Sequence, residues 1–312
     1  MGLKKKDILD MESLSVDEIK YILNMADKMK EISRRSIKKV PTLRGKTVVL
    51  FFYEPSTRTR TSFDIAAKRL SADSISLSGS SSSIVKGETL VDTAKNIEAM
   101  DADVIVLRHS CAGAASMLSQ RVKASVINAG DGMHAHPTQA LLDIMTVMEK
   151  KGRINGLKIA IIGDIAHSRV ARSDCVGFTK MGAEVVVAGP PTMIPAGIEA
   201  IGASVAKNID EAIKDADVIM ALRLQKERQG SFLFSTLREY SKAFGITKKR
   251  FKSAKEDVFI MHPGPVNRGL EIAPEVADSL HSMILDQVAN GVAVRMALLL
   301  LTAGGVWNVD SD

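Results

Sequence analysis

Short apolar runs separated by stretches of helical spacing recur along this chain, and they restrict its fold more than any other feature. Residues 48–53 (VVLFFY), the alternating stretch 73–78, 103–107 (DVIVL) and 124–128 (ASVIN) lie in the first half; 157–162 (LKIAII), 184–188, 217–222 and 257–261 (DVFIM) lie in the second. Between them the period changes. Phe63, Ala66, Ala67 and Leu70 follow the first run at i, i+3, i+4 and i+7, and Leu141, Ile144, Met145 and Met148 follow the fourth. Strands buried on both faces read as near-continuous apolar runs, and their alternation with helices argues for parallel sheets. The pattern therefore predicts an α/β protein with two doubly wound parallel-sheet domains facing a shared cleft.

At 312 residues the chain accommodates two domains of about 150 residues, each with its own core. The polar, glycine-punctuated segment 150–156 (KKGRING) is the expected junction. It predicts a first domain over 1–148, completed by 287–312, and a second over 149–286. Residues 279–301 read as one long, largely buried helix returning to the first domain, because its apolar surface needs a partner. Asp286, Gln287, Asn290 and Arg295 interrupt that stretch, which argues against a membrane span.

Six strands end in chemically loaded residues: 56–60 (STRTR), Arg108-His109, 136–139 (HPTQ), Arg169, 223–225 (RLQ) and 262–265 (HPGP). Ligands of open α/β sheets bind outside the carboxyl ends of the strands. The first group opens a helix, where unpaired N–H groups and the dipole favour an anion. One hydroxyl and one arginine there would suit an ordinary N-cap with a solvated side chain. Three hydroxyls and two guanidinium groups in succession favour a phosphate-like dianion. No G-x-x-x-x-G-K-[ST] loop is present.

Other features are weighed in the same way. Ser15-Val16-Asp17-Glu18 is a capping box opening a structural helix. The serine-rich segment 79–88 reads as a flexible connector, but Lys86 at its far end also fits a mobile arm carrying a cation. The 226–256 stretch reads as a long mobile loop with a helix, and its basic run Lys248-Lys249-Arg250 as solvated surface. His134 and His136 have no cysteine or tight carboxylate cluster beside them, so no metal is expected. Gly163 stands alone where a dinucleotide fold needs G-x-G-x-x-G, and no nucleotide cofactor is expected.

Lys and Arg (42) exceed Asp and Glu (36) by six, while aromatics are only 4%. With no long basic stripe, small anionic substrates explain this excess better than nucleic acid does. Cys111 and Cys175 have no metal or redox spacing and read as reduced thiols. The first fifteen residues lack a signal-peptide core, so a soluble cytoplasmic protein is expected.

FYEPSTRTRTSF, VKGETLVDT, LRHS, HAHPTQALLDI, ALRLQKER and MHPGPVNRGLEI, in this order and spacing, resemble catalytic chains of the aspartate carbamoyltransferase family over nearly the whole sequence. STRTR and HPTQ alone indicate only the wider aspartate/ornithine carbamoyltransferase superfamily. The lysine loop, LQKER and HPGP point to the aspartate branch; ornithine enzymes carry a Ser-Met-Gly stretch and a His-Cys-Leu-Pro loop. The Ile84-Val85 pair beside Lys86 is less polar than the family pattern.

The resemblance implies transfer of a carbamoyl group from carbamoyl phosphate to the α-amine of L-aspartate, the committed step of pyrimidine biosynthesis, without cofactor or metal. It assigns Ser56, Thr57, Arg58 and Thr59, with Arg108, to the phosphate. Thr59, Arg108 and His136 would surround the carbonyl oxygen. Gln139, with the backbone of the Pro263, Gly264 and Pro265 loop, would hold the carbamoyl nitrogen, and Arg169, Arg223 and Gln225 the aspartate carboxylates. Ser82 and Lys86 would reach in from a neighbouring subunit of a homotrimer, to which a regulatory chain or another pathway enzyme might bind. A carbamoyltransferase for another amine such as L-ornithine is the near alternative, and a non-catalytic anion- or nucleic-acid-binding module the distant one.

Overall fold

The computed structural model describes residues 3–78, 87–225 and 236–304. The chain divides into two compact units, Met1–Leu141 with Ala289–Asp312 and Leu142–Val288.

The first unit opens with helix α1 (Val16–Arg34). Ser15 accepts from the Glu18 N–H while the Glu18 carboxylate accepts from the Ser15 N–H, the reciprocal capping box legible in the sequence. Then follow β1 (Thr47–Phe52), α2 (Thr57–Arg69), β2 (Asp73–Ser78), α3 (Leu90–Glu98), β3 (Val104–His109), α4 (Ala114–Ser119), β4 (Ser125–Asp131) and α5 (Pro137–Lys151), whose residues from Leu142 onward belong to the second unit. The strands form one parallel sheet in the order β2-β1-β3-β4. Val48 to Phe52 are all buried, as a central parallel strand requires, whereas β2 is the edge and largely open to solvent. Because β2 and β3 lie on opposite sides of β1, the strand order reverses between β1 and β3. Phe52 is the register partner of Arg108 at that point.

The second unit contains β5 (Lys158–Ile162), α6 (Arg169–Lys180), β6 (Glu184–Ala188), β7 (Ala203–Val205), α7 (Ile209–Ile213), β8 (Val218–Ala221), α8 (Leu237–Phe244), α9 (Lys248–Phe251), β9 (Phe259–Met261) and α10 (Pro274–Ala277). Its parallel sheet has the order β7-β6-β5-β8-β9, so the reversal falls between β5 and β8. Gly163, at the end of β5, has φ +129, and a Cβ there would meet Leu222 at 3.3 Å; only glycine suits that turn.

Two features differ from the sequence expectation. Strand β7 was not anticipated: it has three residues, of which only the first is buried, and presents no apolar run. The run Lys248-Lys249-Arg250 is not uniformly solvated. It opens α9 under a Thr247 cap, and Arg250 donates to Asp210 at 3.1 Å and to the Gly245 carbonyl at 2.8 Å.

The last helix, α11 (Ile284–Thr302), contributes Val294 and Met296 to Leu300 to the core as fully buried residues. Its polar residues are used internally. Asn290 accepts from Lys30 of α1 at 2.7 Å, so α11 packs against α1, and the Arg295 guanidinium lies over the Phe63 ring at 5.2 Å. The helix is long and apolar enough to cross a bilayer, but 61% of its apolar window is buried within the protein.

Candidate active site

In the first unit, the predicted residues collect along the carboxyl edge of the sheet, around the reversal between β1 and β3. Ser56 is the N-cap of α2, with extended backbone, yet its hydroxyl makes no capping hydrogen bond. Ser15, Thr89, Ser168, Thr236 and Thr247 all cap their helices through the side chain. The ordinary N-cap reading of Ser56 therefore fails, and its hydroxyl is left for another role at a helix N-terminus. Thr57 and Arg58 of the first turn are exposed, while Thr59 is buried.

Arg108 extends the last turn of β3. Its Nη2 donates to Glu54 Oε1 at 2.9 Å and its Nη1 to the Ala129 carbonyl at 3.2 Å. Two anchors on different elements restrict the guanidinium to one face. His136 and Gln139 are buried where the β4 loop enters α5. Asp131 organises that loop: its carboxylate accepts from Asn128 Nδ2 (2.8 Å), Gly113 N (2.7 Å) and Ala135 N (3.0 Å) and pairs with His134 Nδ1 (3.1 Å). Burial opposes its charge, but the bonds from His134, Asn128 and the Gly113 N–H outweigh that and hold its pKa below the ordinary carboxylate value.

In the second unit, the corresponding reversal between β5 and β8 carries Arg169, Arg223 and Gln225. Ser168 caps α6 through the Ala171 N–H, placing Arg169 at the first helical position and 3% exposed. A cation at the positive end of a helix works against the dipole, so Arg169 does not stabilise α6 by its charge. Arg223 Nη2 donates to Gln225 Oε1 at 2.9 Å, which orients the two side chains together. The segment carrying them is pinned from behind. Glu271 Oε1 accepts from Leu224 N at 3.0 Å, and Asp164 Oδ2 from Gln225 N at 3.4 Å. Burial raises the Glu271 pKa despite hydrogen bonds from Leu224 and Asn267.

The 262–265 loop follows β9. His262 Nδ1 accepts from Gly264 N at 2.7 Å, so the imidazole proton sits on Nε2. The Gly264–Pro265 bond is cis, with Gly264 at φ +68. Ser82 and Lys86 lie outside the described residues. Sequence reasoning missed Glu54, Asp164 and Glu271, whose partners Arg108, Gln225 and Leu224 lie far along the chain, and Asp131, whose mostly local bonds to Asn128, His134 and Ala135 carry no motif. A signal existed for two of them: Glu54 and Glu271 fall inside the motifs FYEPSTRTRTSF and MHPGPVNRGLEI.

Each of the two parallel α/β units bears hydroxyl, guanidinium or amide groups at its own strand-order reversal, where ligands of open α/β sheets bind. Residues 6–149 match the carbamoyl-phosphate-binding domain of aspartate/ornithine carbamoyltransferases, and residues 155–302 match their aspartate/ornithine-binding domain. The chain belongs to the aspartate/ornithine carbamoyltransferase family. It is 69% identical over 305 residues to the aspartate carbamoyltransferase catalytic subunit of Desulfosudis oleivorans, covering 98% of each chain. It is 65% identical over 311 residues to that of Desulforapulum autotrophicum, covering 100% of each. Among solved structures it resembles aspartate transcarbamoylase from Trypanosoma cruzi in complex with N-(phosphonacetyl)-L-aspartic acid (TM-score 0.86, 29% identity, 95% of each chain). The ornithine carbamoyltransferase of Pyrococcus furiosus is similar in fold (TM-score 0.86, 33% identity, 98% of this chain and 100% of that one).

Proposed function

We propose that this chain is the catalytic chain of an aspartate carbamoyltransferase, transferring the carbamoyl group of carbamoyl phosphate to L-aspartate to give N-carbamoyl-L-aspartate and phosphate. The observation that supports it most is the grouping of Ser56, whose hydroxyl does not cap its helix, with Arg108 at the β1/β3 reversal. The aspartate-branch relatives at 65–69% identity favour aspartate over ornithine as the amine. So do Arg169 and Arg223, which suit two carboxylates; a cationic side chain would call for acids there.

In this reading Ser56, Thr57, Arg58 and Thr59 bind the phosphate. Thr59, Arg108 and His136 donate to the carbonyl oxygen. Gln139 and the Pro263, Gly264 and Pro265 backbone hold the carbamoyl nitrogen, and Arg169, Arg223 and Gln225 grip aspartate. The neutral α-amine attacks the carbonyl carbon, forming the C–N bond and placing negative charge on the oxygen. Each donor to that oxyanion is worth about 3–4 kcal/mol. Collapse breaks the C–O bond to phosphate, which leaves with the electron pair, and the amine proton passes to the departing phosphate. No side chain is required as a base. Ser82 and Lys86 act from a neighbouring subunit of a homotrimer in the cytoplasm, and the relatives' designation as catalytic subunits supports assembly with further chains.

The test is turnover of carbamoyl phosphate with L-aspartate and, separately, with L-ornithine, detecting the ureido product, with Arg58→Ala as control. Carbamoyl-aspartate from the wild type and its loss in the variant are expected. Citrulline instead would overturn the assignment of Arg169 and Arg223, and no product with either amine would overturn the enzymatic reading.

A further inference from the structure

Two acids of the second unit play no part in the chemistry above. Asp143 on α5 and Asp174 on α6 are both fully buried, and the negative charge of Asp143 acts on Asp174. Among the described residues neither oxygen of Asp174 has a hydrogen-bond partner. Two ionised carboxylates buried together repel, which favours a proton on one of the pair. Burial, reinforced by the negative charge of Asp143, pushes the Asp174 pKa well above the ordinary value of 3.8.

The pair has an outlet. Gln287, also buried and on the first turn of α11, donates from Nε2 to Asp143 Oδ1 at 2.7 Å. An amide nitrogen facing the acid turns the amide oxygen the opposite way, and Oε1 accepts from the His262 N–H at 2.9 Å. The reversed amide would set oxygen against carboxylate and NH₂ against N–H, so this network settles the orientation. His262 in turn accepts from the Gly264 N–H. Pro263 and Pro265 carry no N–H, and the two backbone donors that remain in 262–265 are both taken by this relay.

We propose that Gln287, oriented by the Asp143–Asp174 pair, is the positioning residue for the 262–265 loop, setting where the Gly264 and Pro265 backbone meets the carbamoyl nitrogen. The inference rests on the proposed carbamoyl transfer and deepens it. Misplacing a substrate-holding group by about 1 Å can cost about a hundredfold in rate.

Gln287→Met keeps the length and removes both hydrogen bonds. The expected result is a fall in kcat of about ten- to a hundredfold and a raised KM for carbamoyl phosphate. The KM for aspartate and the inhibition constant of inorganic phosphate should stay at wild-type values. Asp174→Asn, whose amide can donate to Asp143, should retain wild-type kinetics. If Gln287→Met does not fold, Gln287→Asn, too short to span both partners, carries the same expectation. Wild-type kinetics in a folded Gln287 variant, or equal changes in all three constants, would overturn the inference. A wild-type enzyme without turnover would instead overturn the function on which it rests.

Discussion

Arg108 Nη2 lies 2.9 Å from Glu54 Oε1, which joins the end of β3 to the loop leaving β1. The arginine side chain is 12% exposed and the glutamate 23%, so the pair is shielded more than a surface ion pair and less than a buried one. Glu54 orients the guanidinium but also opposes an incoming anion. Glu54→Ala is therefore expected to separate two effects. The kcat should fall about tenfold as the arginine gains rotamer freedom, while inorganic phosphate should bind no less tightly. Steady-state kinetics with phosphate as inhibitor checks both.

Arg223 and Gln225 act as an oriented couple, and lysine cannot reproduce the planar fork that faces a carboxylate. Arg223→Lys should raise the KM for L-aspartate about ten- to a hundredfold. The KM for carbamoyl phosphate should not change. Initial-rate measurements with each substrate varied in turn test this.

The buried Asp174 makes stability depend on pH with a definite sign. A folded-state value above the ordinary 3.8 means that the folded chain binds more protons than the unfolded chain above that pH. Stability from this group is thus fully present below pH 3.8 and is lost as pH rises toward the folded-state value. Asp174→Asn removes the proton requirement. The variant should melt higher than wild type at pH 8, by about 2–4 °C for each kcal/mol recovered, and nearly level with it at pH 4. Calorimetry at the two pH values decides.

Leu298 is fully buried on α11. Leu298→Ala should cost about 2–5 kcal/mol, read from urea unfolding, with both KM values unchanged because the residue lies in the core.

The sheets were legible because central parallel strands are apolar throughout and the edge stretch 73–78 alternates: all eight stretches read from the sequence became strands, and 73–78 and 184–188 did so without a change of boundary. β7 escaped because a short edge strand with one buried residue has no such signature. Lys248 to Arg250 looked like solvated charge because the partners of Arg250, Asp210 and the Gly245 carbonyl, are brought to it only by the fold. The predicted site residues stood out by being clustered, hydroxylic or cationic at strand ends. Glu271 and Gln287 did not, since the groups they hold, Leu224 N and His262 N, lie 47 and 25 positions away. Side chains that touch a ligand announce themselves locally, and those that hold them in place do so only through tertiary structure.

The final helix also bears on synthesis. Most of the first unit precedes the second along the chain, yet its core includes Val294 and Met296 to Leu300, supplied by a segment beyond all of Leu142–Val288. During translation, at about 5–20 residues per second, the nascent first sheet must wait with its apolar surface incompletely covered while the entire second unit emerges. The usual vectorial order is inverted: the half made first is the half completed last, and this interval is when the growing chain most needs protection from aggregation.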